Sequence, residues 1–109
     1  MNEMLYREPI VCADGYSVSI QANEYTYCMP RVTGAKHYTA VELGFPSEPD
    51  ELINEYAEED GHLDEYTGTV YPYTPACIVQ QLIDKHGGIV SGECPPLLIH
   101  ELQVGGEEE

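Results

Sequence analysis

Apolar and polar residues alternate most clearly near the start of the chain. Tyr16, Val18 and Ile20 alternate with Ser17, Ser19 and Gln21. That is the period of a strand with one buried and one solvated face. Ile10, Val11 and Cys12 come before them, with Asp14-Gly15 in between. Asp-Gly accommodates the positive φ angles of a tight turn. Residues 10–21 therefore predict a β-hairpin, with Tyr16, Val18 and Ile20 facing the core. Asn23 to Met29 carries Tyr25 and Tyr27 at the same period and extends or follows the sheet. Pro30 to Lys36 reads as a loop bending at Gly34. His37 to Phe45 predicts another strand with Tyr38, Val41 and Leu43, and Pro46 and Pro49 end it, because proline has no amide to give to a ladder.

The period then changes. Leu52, Ile53 and Tyr56 fall at offsets of three and four, which predicts a short helix over Pro49–Glu59, capped by Ser47 or Asp50. Asp50 and Glu51 in its first turn suit the helix dipole; Glu58 and Glu59 near its end oppose it. An irregular acidic loop is the alternative, and Asp60-Gly61 ends either. Tyr66 to Tyr73 is strand-like, and Pro72 makes it an edge strand or stops it. Thr74-Pro75 predicts a helix start, with Thr as cap and Pro at the first position. Ala76, Val79, Leu82 and Ile83 form the apolar stripe of that helix, Ile78 lies beside it, and Gly87-Gly88 ends it after His86. Ile89 and Val90 start a short strand, and Leu97 to Val104 packs back as another. The expected class is α+β: an antiparallel sheet with one main helix packed on one face, and a second short acidic helix if Pro49–Glu59 forms one. With 109 residues the chain makes one domain. Residues 1–8 are expected to be a flexible leader and 105–109 an acidic tail.

Charge changes the picture. Twenty acidic residues face four basic ones, Arg7, Arg31, Lys36 and Lys85, for a formal net charge of −16. Direct binding to nucleic acid is disfavoured, because phosphates are repelled, and so are anionic membrane surfaces. A basic partner or bound cations are favoured; solubility or adaptation to salt is the plain alternative. From Glu48 to Glu65 there are nine acids and no lysine or arginine. B-form DNA places a phosphate about every 3.4 Å along each strand. On a helix rising about 1.5 Å per residue, acids at every second or third position approach that spacing. Asp50, Glu51, Glu55, Glu58, Glu59, Asp60, Asp64 and Glu65 are therefore candidate phosphate surrogates. Tyr56 and Tyr66 are candidate anchors, since aromatic residues often dominate interface energy.

Other chemistry is poorly supplied. Cys12, Cys28, Cys77 and Cys94 are widely spaced with no C-x-x-C, which speaks against zinc. They are expected to be free thiols of a reducing cytoplasm, a Cys12–Cys28 bridge being the alternative. Cys12 and Cys77 sit in apolar patterns, where cysteine is usually a small core residue. The many carboxylates single out no acid–base pair. Asp60 to Glu65 lacks the ordered spacing of a calcium loop, and no phosphate-cradling motif is present. No catalytic residue, metal or cofactor is expected, and the chain does not read as an enzyme.

Size, acidity, cysteine usage and the segments YREPIVCADGYSVSIQA and YPYTPACIVQQLIDKHGG together resemble small proteins encoded by phages and prophages of Gram-negative bacteria. Anti-CRISPR proteins and anti-restriction DNA mimics are the families in view. They share no common sequence signature, so no family residue is carried over. The resemblance implies an inhibitor in the host cytoplasm. Its partner would be the basic DNA-binding surface of a Cascade-like CRISPR effector, type I and by preference I-C, or of another host nuclease complex. The alternative is a phage structural or assembly protein that uses a tyrosine-rich sheet as its interface.

Overall fold

The computed structural model describes residues 6–58 and 66–98. The hairpin forms as the alternation predicts: β1 (Ile10–Cys12) pairs antiparallel with β2 (Ser17–Gln21), with Ile10 opposite Val18. Gly15 takes φ +98° in the turn. The Asp14 carboxylate accepts the Tyr16 amide at 2.9 Å, an aspartate turn that closes the loop. Strand β3 (Ala40–Gly44) pairs antiparallel with β2, and β4 (Val70–Pro75) pairs antiparallel with β3. Helix α1 (Ala76–Lys85) follows without a loop and leads to β5 (Ile89–Ser91), which pairs antiparallel with β1. The sheet order is β4-β3-β2-β1-β5, so α1 carries the chain from one edge of the sheet to the other. This is an α+β fold.

One face of the sheet is covered. Ile10, Cys12, Val18, Ile20, Val41, Leu43 and Tyr71 are buried and form one cluster with Val79, Leu82 and Ile83 of α1. Burying each large aliphatic side chain contributes roughly 1.5–3 kcal/mol. Among the described residues no helix is long and apolar enough to cross a membrane.

Three expectations are corrected. The described part of the expected Pro49–Glu59 helix, residues 49–58, does not form an α-helix; after turns at 51–53 it makes a single 3-10 turn, Asn54–Tyr56. The segment is short and fixed at both ends: Asp50 is buried, and the Glu58 amide donates to the Val70 carbonyl at 2.9 Å. Tertiary anchors of this kind override local helix propensity. Ser47 caps nothing there: its hydroxyl accepts the Ser17 amide at 3.0 Å. Nor does Thr74 cap α1. Its hydroxyl donates to the Tyr71 carbonyl, while Pro75 ends β4 and occupies the cap position. The first helical amide, Ala76, donates to the Thr39 carbonyl at 2.9 Å instead.

The tail end of the fold is held closely. Gly92 takes φ +92°, and a Cβ there would overlap the Pro9 carbonyl and the Ile10 Cα. Of the expected leader, Arg7 is tied to Gln21: its amide donates to Oε1 at 2.8 Å, and Gln21 Nε2 donates to its carbonyl at 2.7 Å. All four cysteines are free thiols. The strand expected at Leu97–Val104 is represented by one parallel bridge, Tyr38 to Leu97; residues 99–109 lie outside the described residues.

Candidate functional site

The acidic stretch divides on folding. Glu51, Glu55 and Glu58 are exposed. Glu59, Asp60, Asp64 and Glu65 lie outside the described residues. Asp50 goes the other way: its side chain is 3% exposed and both carboxylate oxygens are taken. It is a structural acid, not a surface charge. The 3-10 turn also removes the regular helical spacing of the surrogate acids. Of the two candidate anchors, Tyr56 packs partly against the core. Tyr66 is half-buried, and its carbonyl accepts the Tyr71 hydroxyl.

Asp50 belongs to a cluster that sequence reasoning missed. The turn of the β1–β2 hairpin supplies Asp14, the end of α1 supplies Lys85 and His86, and the acidic segment supplies Asp50. His86 Nδ1 donates to Asp14 Oδ2 at 2.7 Å, and Nε2 donates to Asp50 Oδ2 at 2.8 Å. Lys85 Nζ donates to Asp50 Oδ1 at 3.0 Å, and so does the Leu52 amide, also at 3.0 Å. An ionised carboxylate only accepts, so both ring nitrogens carry protons and His86 is an imidazolium. Two anions and two cations balance. Tyr16 stacks on the imidazolium with centroids 3.9 Å apart and planes 7° apart, a favourable cation–π arrangement.

Titration follows from these contacts. Burial pulls the His86 pKa down, but its hydrogen bonds to Asp14 and Asp50 outweigh that and hold it above the ordinary imidazole value. Burial pushes Asp50 up, and the Leu52 amide, His86 and Lys85 outweigh it, leaving the carboxyl below its usual range. The Tyr16 amide first, then His86, lower Asp14. Burial and the Asp50 charge push the Tyr16 phenol far up. The cluster holds no nucleophile in an ion-paired position, and its histidine is committed at both nitrogens. It joins three segments of chain and presents no reactive atom.

The uncovered face of the sheet is different. Tyr6, Tyr27, Phe45 and Tyr73 are exposed at or beside it, and Tyr25 and Met29 are exposed in the segment between β2 and β3. Phe45 has φ 52° and Tyr73 φ 53°, the left-handed region that bulky L residues seldom adopt. Tyr73 lies in a bulge. Val41 pairs with Thr74 and Leu43 with Tyr71, so Glu42 alone faces Pro72 and Tyr73. The Tyr73 amide donates to the Tyr27 carbonyl at 3.1 Å, and the rings meet at 5.7 Å. The Tyr27 amide donates to Glu42 Oε1 at 2.9 Å, and the Arg31 guanidinium lies 5.1 Å from the Tyr27 ring centre. Beside this cluster, Tyr6, Ser19, Gln21, Glu42, Phe45 and Val70 help line a groove of about 210 Å³.

Among the described residues no three His, Cys, Asp or Glu side chains are grouped to hold a metal ion. Burial raises the thiols of Cys12 and of Cys94, the latter to about 11, so neither is an activated nucleophile. Comparison with protein-family models, with curated proteins and with solved structures finds no match.

Proposed function

We propose that this protein is a stoichiometric inhibitor that occupies a basic, nucleic-acid-binding surface of another protein. It would act as anti-CRISPR and anti-restriction DNA mimics do, with a type I CRISPR surveillance complex, by preference I-C, as the leading partner. One observation carries the reading. Every ion pair among the described residues falls inside the His86 cluster, so Glu51, Glu55 and Glu58 face solvent with no cation of the fold against them. Three of the four bases are employed elsewhere: Lys85 on Asp50, the Arg7 guanidinium on the Ala22 carbonyl at 3.1 Å, and Arg31 on Tyr27. Negative charge is thus left for a partner rich in lysine and arginine, and displaced counterions would favour the contact as they do for DNA.

The test is competition with target double-stranded DNA for the type I complex at low and high salt. Binding should exclude DNA and weaken steeply as salt rises. Replacing Glu51, Glu55 and Glu58 by lysine should reduce affinity at least about tenfold, a loss of about 1.4 kcal/mol, while the fold persists. Undiminished inhibition by that folded variant would reject the reading. The exposed aromatic face favours a second reading, a structural or assembly protein of a phage particle. That reading predicts self-association insensitive to salt.

A further inference from the structure

We propose that the open face of the sheet is a receptor for a cationic side chain, an arginine above all, presented by a protein partner. Glu42 supplies the counter-charge, and Phe45 and Tyr6 supply the aromatic walls. The groove of about 210 Å³ is smaller than the roughly 300–1,000 Å³ clefts that hold drug-sized ligands, which suits one long side chain. Its floor is opened by Gly44, which stands opposite Ser19 and contributes no side chain. Its wall carries a carboxylate, Glu42, fixed in place by the Tyr27 amide on Oε1. Guanidinium groups stack on aromatic faces while they bond carboxylates. The same face already shows the stacking half of that pairing, with Arg31 over Tyr27.

Two further features point to a partner. Phe45 keeps its ring outside the core, 60% exposed, although its backbone sits at φ 52°. Tyr73 does the same at φ 53° and 45% exposed. Unfavourable backbone with no compensating burial is the signature of a displayed side chain. Charge then selects the occupant. A chain of net charge −16 repels a second copy of itself and attracts a basic protein surface. The inference does not rest on the acidic segment, which lies elsewhere in sequence and is replaced separately in the test.

The experiment is a titration of the full-length protein with N-acetyl-arginine amide, followed by amide NMR shifts. The neutral citrulline analogue is the control. Saturable shifts at Ser19, Glu42 and Phe45 are expected with the arginine probe and not with citrulline. Glu42→Gln keeps a carbonyl acceptor for Tyr27 and should weaken binding at least fivefold. Phe45→Gly keeps the left-handed backbone and should do the same. Gly44→Ala, whose methyl would touch Val70 at 3.6 Å without a clash, should narrow the groove and weaken binding if the other variants misfold. The Gln variant of Glu51, Glu55 and Glu58 should bind the probe as the parent does. Four results would overturn the proposal: no saturable shift, shifts that centre on the acidic segment, binding indifferent to Glu42 and Phe45, or concentration-dependent self-association abolished by Phe45→Gly.

Discussion

The His86 cluster and the open face of the sheet both depart from the cheapest way to build a small domain. They differ in what offsets the cost. Burying Asp50 and His86 is expensive, yet every charged atom there finds an opposite charge or an amide, and three segments of chain are joined in return. On the open face, Phe45 and Tyr73 sit in left-handed backbone, worth about 1–2 kcal/mol of strain at each position. Neither ring is taken into the core. The first expense is balanced inside the fold. The second is met inside the fold only by a main-chain hydrogen bond at each site, Phe45 to Thr69 and Tyr73 to Tyr27, and by the Tyr27–Tyr73 ring contact, and that is the reason to look for the rest of its balance in a partner.

Asp50 is where the cluster is most exposed to a single substitution. Asp50→Ala strands Lys85 and the imidazolium, and should cost about 3 kcal/mol, the low end for breaking a buried pair, since Lys85 is partly exposed. Urea denaturation measures it; a loss under about 1 kcal/mol would mean that the cluster is ornamental.

Acidity tests the same site less drastically. His86 titrates above its ordinary 6.5, so its contribution is full below about pH 6.5 and is lost as pH rises through the folded value. Asp14 and Asp50 titrate below their ordinary 3.8, so their contribution is full above about pH 4 and is lost as pH falls through the folded values. Stability from the cluster should peak between those limits. Comparing His86→Gln with the parent across pH 5–9 isolates the histidine limb from the general charge repulsion of the acidic chain. The difference in unfolding free energy should shrink as pH rises, and a constant difference would contradict the assignment of an imidazolium.

A smaller effect comes from Tyr16. Its ring stacks usefully, but its hydroxyl oxygen is buried with no hydrogen-bond partner among the described residues. Tyr16→Phe keeps the stack and removes the unsatisfied group, so a gain of about 1 kcal/mol is expected. Thermal denaturation checks the sign.

Much of the fold was legible because it rests on local periodicity. The hairpin over 10–21, the strand ending at Phe45 and the stripe Ala76, Val79, Leu82 and Ile83 all lie where alternation and helical spacing put them. The 3-10 turn was misread as a helix because Leu52, Ile53 and Tyr56 do turn inward at helical offsets. Two distant anchors, Asp50 and Glu58, decided the backbone, and no local pattern records them. The charge cluster was hidden for the same reason: His86 reaches Asp14 and Asp50 across 72 and 36 residues. In sequence, Asp14 is read as a turn former and Asp50 as one acid in a run. The tyrosine-rich surface was visible as composition. That Tyr73 stands in strained backbone was not, since it depends on a bulge set by pairing with β3, and neither was the left-handed backbone of Phe45, just past the end of β3.

The buried cluster serves the fold, and on the reading proposed above the open face serves a partner. Paired urea denaturation of His86→Gln and Phe45→Gly tests it most directly. Phe45→Gly should leave stability within about 1 kcal/mol of the parent, because relief of strain offsets the lost contacts of a mostly exposed ring. His86→Gln should lose about 2 kcal/mol or more, because it leaves a buried carboxylate short of its counter-charge. If Phe45→Gly is instead the more damaging substitution, the ring is part of the structural core and the distinction fails.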